Sequence, residues 1–147
     1  MAGLQDVKTG VREIDAGTEG LRYLLQRIFE PMVECRRAAG GCDRTRCSRI
    51  QAIITYLGHN FDRQERLMDA GGYPHEDHHR RDHWRLIERL RHMYGANVCA
   101  DEDATVVREV INRWAADHVP ECDRRLGRWA VTRRVVEPTD LRDVAAP

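Results

Sequence analysis

The sequence has no excess of charge of either sign and no long apolar run. Its 147 residues include 24 basic and 24 acidic side chains, so nothing indicates an electrostatic surface for nucleic acid or for an anionic membrane. No apolar run approaches the roughly 20 residues that a membrane-spanning helix requires. The first residues lack the basic and then apolar pattern of a secretory signal. We therefore expect neither nucleic acid nor a membrane as a partner.

Cysteine and proline are both scarce. Five cysteines are an odd number, and without a secretory pattern they favour a reducing cytoplasm over a framework of disulfides. Five prolines and little β-branched alternation make helix the dominant expectation. No glycine-rich nucleotide motif is present. The residues whose role the sequence leaves open are Cys35, Cys42 and Cys47, which flank the turn after the first predicted helix without a CxxC spacing.

Apolar residues recur with helical spacing in four segments, and this pattern predicts four amphipathic helices. Short connections that are rich in glycine or acidic residues would make consecutive helices antiparallel. The predicted fold class is therefore all-α, an up-down-up-down four-helix bundle. The helices are expected to run from Ile14 to about Ala38 with a bend at Pro31, from near Thr45 to Gly71-Gly72, from Tyr73-Pro74 to about Tyr94, and onward from Asp101–Ala104.

The length of the chain indicates a single domain over residues 1–147, long enough to bury a hydrophobic core of its own. The bundle would occupy about residues 14–130. An arm over residues 1–13 would precede it, and a short extension over residues 135–147 would follow it. No internal repeat and no low-complexity tract divides the chain.

Two histidines lie on the inner face of the third predicted helix, where a bundle normally has aliphatic residues. His79 and His83 are four residues apart, so their imidazoles share one face and can share a metal ion. Leu86 and Leu90 follow on the same stripe, which indicates that this face is buried. Because a buried pair of imidazoles without partners would be costly, a bound ion is one way to satisfy both.

The last predicted helix has polar residues at a similar depth. His118 follows Trp114 by one turn, and Asp123 comes five residues later. An ideal helix would place Asp123 about 140° away from His118 around the axis. Pro120 lies between them and removes a backbone donor, so it offers a means of turning Asp123 toward the same centre.

Polar groups from three helices that converge in one core predict a bound ion. The second helix adds Asn60 and Gln64 to the set, and the aromatic rings of Phe61 and Trp114 are expected to shield it. Imidazole and carboxylate ligands suit iron, zinc or manganese better than calcium or magnesium. The alternative is a set of core histidines held by hydrogen bonds alone. The predicted metal ligands are His79, His83, His118 and Asp123.

These segments resemble the hemerythrin family, and in particular bacterial hemerythrin-like domains. The resemblance extends over about residues 10–128. It implies a four-helix bundle with a carboxylate-bridged di-iron centre that binds oxygen reversibly or serves as an oxygen or redox sensor. The residues that match are Ile14-Asp15 and Leu21 in the first helix, Phe61 and Glu65–Met68 in the second, Tyr73-Pro74, His79 and His83 in the third, and Trp114, His118 and Asp123 in the last.

Only one half of the family's iron centre is matched. The resemblance implies that three histidines bind one iron, with Asp123 as a bridge. The ligands of the other iron are replaced, since the family's first-helix histidine falls on Thr18, its second-helix histidine on Asn60 and its bridging glutamate on Gln64. Each replacement removes an ionisable or strongly coordinating group. We therefore predict a mononuclear site in which these three residues are outer contacts or a vestige of the second site.

The predicted function is that of a non-heme metal-binding protein, with one iron per chain favoured and zinc or manganese as alternative metals. It would bind or sense dioxygen or another diatomic ligand, and binding is favoured over catalysis. The enzymatic alternative is a mononuclear iron oxidoreductase that acts on superoxide, peroxide or nitric oxide. Two further functions stay open, a full di-iron oxygen-binding protein with ligands shifted to His59 and Glu65, and a metal-free interaction domain. No pattern in the sequence sets an oligomeric state.

Overall fold

The computed structural model describes residues 7–30, 40, 44–95 and 101–136, with the backbone alone at residues 101 and 102. Its helices form four rods, of which the last consists of three segments that follow one another without a break. The described part of the chain is therefore an all-α four-helix bundle, and the predicted fold class is confirmed. The segments are α1 (Arg12–Gln26), α2 (Thr45–Gly71), α3 (Glu76–Gly95), α4 (Asp101–His118), a π-helical segment (Val119–Asp123) and α5 (Arg124–Thr132).

Consecutive helices pack against one another. α1 contacts α2, α2 contacts α3, and α3 contacts α4, while α5 returns to α2. The turn between α2 and α3 begins at Gly72, which has a φ of +68°, a left-handed conformation that glycine adopts without a steric cost. None of the described helices combines the length and the apolar character that a membrane crossing requires.

The first helix is shorter than the sequence predicts. The prediction extended it to about Ala38, whereas α1 ends at Gln26. A proline ring clashes with the carbonyl group four residues earlier in a helix, and Pro31 therefore disfavours a helical conformation that includes Arg27. The prediction took Pro31 as a bend, but the helix stops before it. Residues 31–39 themselves lie outside the described part of the chain.

Other predictions concern residues that the structure describes only in part. Residues 1–6 of the predicted arm and residues 137–147 of the predicted extension lie outside the described ranges. Cys35 and Cys42 do so as well, while Cys47 is half-buried near the start of α2. The domain boundaries and the role of these cysteines therefore stay predictions.

The chain before α1 is held by a buried carboxylate. The backbone N–H and the hydroxyl group of Thr9 each donate a hydrogen bond to Asp15 Oδ1, both at 2.8 Å. Thr9 also packs against α5, where Gly127 leaves room for it. A Cβ atom at that glycine would lie only 2.4 Å from the Thr9 carbonyl oxygen. Asp15, one of the residues that match the family motif, thus anchors the arm to the bundle.

A layer of polar residues divides the buried core. A large apolar cluster with members from every rod lies on one side of the layer, and a smaller cluster lies on the other. Along α3, Tyr73 just before the helix belongs to the smaller cluster, His79 and His83 follow, and Leu86 and Leu90 belong to the larger one. Along α2 and along the last rod the order is reversed, since the members of the larger cluster come first and those of the smaller cluster last. The buried residues of the polar layer are Asn60, Gln64, His79, His83, His118 and Asp123.

Candidate metal centre

A change of helix type in the last rod positions the carboxylate of the site. Between α4 and α5 the backbone is π-helical, and the Arg124 N–H donates to the Val119 carbonyl oxygen, a step of five residues. Pro120 stands at the start of this segment. It has no N–H group, so the α-helical hydrogen bond that it would donate to the Ala116 carbonyl oxygen is absent in any case. The proline thus lowers the cost of a wider turn at this point.

The wider turn brings Asp123 to the same side of the rod as His118. In a π-helix, residues five apart lie nearly above one another, whereas an α-helix would separate them by about 140°. Asp123 is only 3% exposed. Its Oδ1 atom lies 2.9 Å from His118 Nε2. Asp123 therefore faces the core, as the position of Pro120 predicts.

The structure brings all four predicted ligand residues together. One ligand atom from each side chain lies within 4.8 Å of the ligand atoms of the other three. His79 Nε2 lies 3.3 Å from Asp123 Oδ1. The ring centroids of the three histidines are 4.5, 4.7 and 4.9 Å apart. We call this set, His79, His83, His118 and Asp123, the His/Asp cluster.

Several polar atoms of the His/Asp cluster are buried without a hydrogen bond. Among the described residues, His83 Nε2, His118 Nε2 and Asp123 Oδ1 have no hydrogen-bond partner. The 2.9 Å contact between the last two atoms lacks the angles of a hydrogen bond. Each unsatisfied buried group costs about 1–3 kcal/mol. A cation among these atoms would satisfy all of them at once, so the residues present fit a metal ion.

Burial and charge divide the histidines into two kinds. Burial lowers the pKa of His79, and burial together with the neighbouring His118 lowers the pKa of His83 well below its usual range. Both are therefore neutral at neutral pH, which is the form that binds metals. Burial also acts to lower the pKa of His118, but the charge of Asp123 and the hydrogen bond with Asp82 raise it well above its usual range.

The pKa of Asp123, the carboxylate of the His/Asp cluster, depends on its burial and on its histidine neighbours. Burial acts to raise the pKa of Asp123, but the charge of His118 and the contacts with His118 and His79 lower it below its usual range. Asp123 is therefore an anion in the core. A proton on His118 and a metal ion are alternative positive partners for it, so metal binding should displace that proton.

Two further carboxylates hold the outer nitrogens of the histidine rings. His118 Nδ1 lies 2.5 Å from Asp82 Oδ2, and His83 Nδ1 lies 3.3 Å from Glu65 Oε1. The hydrogen bond with His118 lowers the pKa of Asp82, which keeps that carboxyl group ionised. A carboxylate on the outer nitrogen fixes the orientation of the ring and leaves Nε2 for the metal. The sequence gives no sign of this role, because the position of Asp82 beside His83 shows nothing about which helix it faces.

The residues proposed as shifted ligands do not join the His/Asp cluster. The Glu65 carboxylate contacts the outer nitrogen of His83 and Arg80 Nη1, the latter at 2.8 Å. His59 is exposed and lines a surface groove between α2 and α3. The register of α2 instead directs Asn60 and Gln64 into the core.

The three residues predicted to be outer contacts or a vestige of a second site line a small cavity. Thr18, Asn60 and Gln64 line it together with Asp123, and its volume is about 30 Å³. That volume accommodates one or two water molecules or a ligand of similar size. Most of the remaining wall is apolar, with Leu21, Leu57, Phe61 and Trp114 among its residues. This side of the His/Asp cluster is thus a small, mostly apolar space.

The polar groups around the cavity have different partners. Thr18 Oγ1 donates to a carbonyl oxygen of its own helix, and Asn60 Nδ2 donates to the Gly17 carbonyl oxygen at 3.3 Å. Both therefore bind the backbone of α1. Gln64 differs, because its Oε1 atom lies 2.9 Å from Nε2 of His79. Of the three, only Gln64 contacts the His/Asp cluster directly.

Aromatic rings cover two of the histidines. Phe61 stacks on His83 with ring centroids 3.8 Å apart and planes 5° from parallel. Trp114 stacks on His118 at 4.2 Å and 18°. The two aromatic rings are themselves 5.4 Å apart. They close the side of the His/Asp cluster that faces the larger apolar cluster.

The fold and the site together define a class of protein: helical bundles with a buried histidine and carboxylate cluster of the kind that holds metal ions. A comparison with curated proteins finds a similar protein. Over 115 residues the chain is 27% identical to a bacteriohemerythrin of Stenotrophomonas maltophilia (strain R551-3), and the match covers 78% of this chain and 71% of that protein. The chain is hemerythrin-like, as its motifs predict. No protein-family model and no solved structure matches it.

Proposed function

We propose that this hemerythrin-like protein binds one iron ion per chain at the His/Asp cluster and uses it to bind or sense a small ligand. The observation that supports the proposal is the convergence of buried donor atoms without hydrogen-bond partners on one point. Three imidazoles and one carboxylate are suitable ligands for iron, and also for manganese or zinc. Bound iron would supply a Lewis-acidic and redox-active centre for a small ligand.

The residues around the cavity support a mononuclear centre. A second iron would need histidine and carboxylate ligands, but this half of the site has Thr18, Asn60 and Gln64. Apart from Asp123, the one carboxylate among the described residues that line the cavity is Glu13, which is more than half exposed and lies 3.9 Å from Arg63. The donor set is therefore too weak for a second ion.

The chain itself contributes the setting for the ligand. The cavity beside Asp123 admits only a molecule of a few atoms, and its mostly apolar wall favours an uncharged one such as a diatomic gas. Phe61 and Trp114 keep bulk water from the histidine rings. Asp82 and Glu65 hold two of these rings in position through their outer nitrogens.

Metal analysis tests the proposal. Protein loaded with ferrous ion under anaerobic conditions and then desalted should contain one iron per chain. Addition of nitric oxide, a paramagnetic diatomic probe, should change its electron paramagnetic resonance spectrum if a position at the metal is open. Two irons per chain would refute the mononuclear proposal, and protein that retains no metal would refute metal binding altogether.

The outer carboxylate of His118 offers a more specific prediction. Asp82→Asn should weaken ferrous ion binding by about 10- to 100-fold, because the neutral amide orients the His118 ring less firmly and makes it less basic. The matched control is Asp117→Asn, an exposed carboxylate next to His118 in the sequence, which should leave the affinity unchanged. Competition with a coloured chelator measures both affinities. Equal losses in the two variants would show that general surface charge, and not the contact with His118, is responsible.

A further inference from the structure

Gln64 stands apart from the other polar residues that line the cavity. It is only 8% exposed, and its side-chain oxygen lies 2.9 Å from His79 Nε2. The outer nitrogen of His79, Nδ1, has no hydrogen-bond partner among the described residues. The polar contacts of this ring are therefore on its Nε2 side, where Gln64 and Asp123 both approach it.

The spacing of the donor atoms is that of neighbouring ligands around one ion. Ligands held at about 2.1 Å in an octahedral arrangement lie about 3.0 Å from their neighbours. His118 Nε2 lies 2.9 Å from Asp123 Oδ1, and His79 Nε2 lies 3.3 Å from the same oxygen. The separation of 2.9 Å between Gln64 Oε1 and His79 Nε2 lies in the same range as these two distances.

We infer that Gln64 is a fifth metal ligand, whose side-chain carbonyl oxygen binds the same ion as the His/Asp cluster. This inference rests on the proposed metal-binding function and extends it to a residue outside the predicted ligand set. The opposite interpretation is a simple hydrogen bond, in which His79 Nε2–H donates to Gln64. In that case the nitrogen would have no lone pair for a metal, and Gln64 would compete with metal binding.

A neutral fifth ligand has a consequence for the charge of the site. Three neutral imidazoles, one carboxylate and one carboxamide give the ligand set a single negative charge, whereas a glutamate in place of Gln64 would add a second. In a buried site each negative charge favours the higher oxidation state of the metal. Gln64 therefore favours ferrous over ferric iron, and Gln64→Glu should lower the reduction potential of the bound iron.

The two interpretations predict opposite effects for Gln64→Leu, which removes the oxygen at similar volume. If Gln64 is a ligand, the affinity for ferrous ion should fall by about tenfold or more. If Gln64 only accepts a hydrogen bond from His79, the affinity should stay the same or rise, because Nε2 is released. Gln51→Leu is the matched control, since Gln51 is a glutamine of the same helix that lies at the surface and accepts a hydrogen bond from Tyr94. It should retain nearly the full affinity.

A spectroscopic measurement separates the loss of a ligand from a general disturbance of the site. Cobalt(II) absorbs visible light more strongly as its coordination number falls, so the cobalt-loaded Gln64→Leu protein should absorb more strongly per ion than the wild type. Gln64→Glu should restore the affinity and the weaker absorption. An unchanged cobalt spectrum, or an unchanged or higher ferrous affinity in Gln64→Leu, would overturn the inference. Wild-type protein that binds neither ion would instead overturn the proposed function.

Discussion

Metal loading should raise the thermal unfolding midpoint by roughly 8–16 °C, and a chelator should reverse the change. A ligand that binds only the folded state at a free concentration of about 1,000 times its dissociation constant stabilises that state by about 4.1 kcal/mol. One kcal/mol corresponds to roughly 2–4 °C for a chain of this size. The effect should be this large because the folded core holds an anionic Asp123 and unpaired imidazole nitrogens, while the unfolded chain has no assembled site.

His118→Ala should abolish this metal-dependent shift. The substitution removes one ligand and also leaves Asp123 buried without its nearest positive partner, so the metal-free variant should itself lose about 3–5 kcal/mol of stability. His59→Ala is the matched control, because His59 is exposed on α2 away from the cluster, and it should keep the full shift. Differential scanning calorimetry with and without ferrous ion measures both effects. A shift of the same size in His118→Ala would mean that the metal binds elsewhere.

The second large effect is the creation of a second metal site. A variant with Thr18→His, Asn60→His and Gln64→Glu should bind two irons per chain. The resemblance to hemerythrins implies ligands of these types at these three positions, and the structure shows that all three side chains line one cavity beside Asp123. The cavity of about 30 Å³ provides part of the space that the larger histidine rings require.

The triple variant also tests whether the residues at these three positions are what limits the natural chain to one ion. Gln64→Glu alone supplies a carboxylate but no imidazole, so it should remain at one iron per chain. Metal analysis gives the stoichiometry, and oxo-bridge absorption in the oxidised triple variant would report that the two irons are adjacent. If the triple variant folds with the circular dichroism of the wild type and still binds one ion, the ligand replacements are not what limits the count.

Local sequence patterns accounted for most of the architecture. The end of α2 follows from Gly71-Gly72, the start of α3 from Tyr73-Pro74 and its end from Gly95, because glycine and proline interrupt helical hydrogen bonding within a turn or two. The spacing of His79 and His83 places both on one face of α3 whatever surrounds it. The sequence pattern predicts an end of α1 too far along the chain, because the apolar residues continue with helical spacing after Gln26 while the helix does not. Proline disfavours a helical conformation of the residue four positions earlier, and this effect outweighs the apolar pattern.

Local sequence patterns do not predict the contacts between helices. Asp82 has no special position in the sequence, but it faces His118 on another rod. Gln64 was recognised as a replaced family ligand, yet its contact with His79 Nε2 depends on how α2 and α3 are packed. Glu65, considered as a shifted ligand, turns out to contact the outer nitrogen of His83. Each of these depends on atoms that come together from residues 15 or more positions apart.

The sequence by itself determined the all-α class and the buried stripe of His79 and His83. These are properties of one helix at a time, and helical periodicity is a local property of the chain. Only the tertiary structure decided that Asp123 reaches His118 through a π-helical turn, and that Gln64 approaches the cluster while Asn60 does not. Backbone hydrogen bonding at Pro120 and the packing of neighbouring helices set those distances, because a difference of a few ångströms separates a metal ligand from a neighbouring side chain.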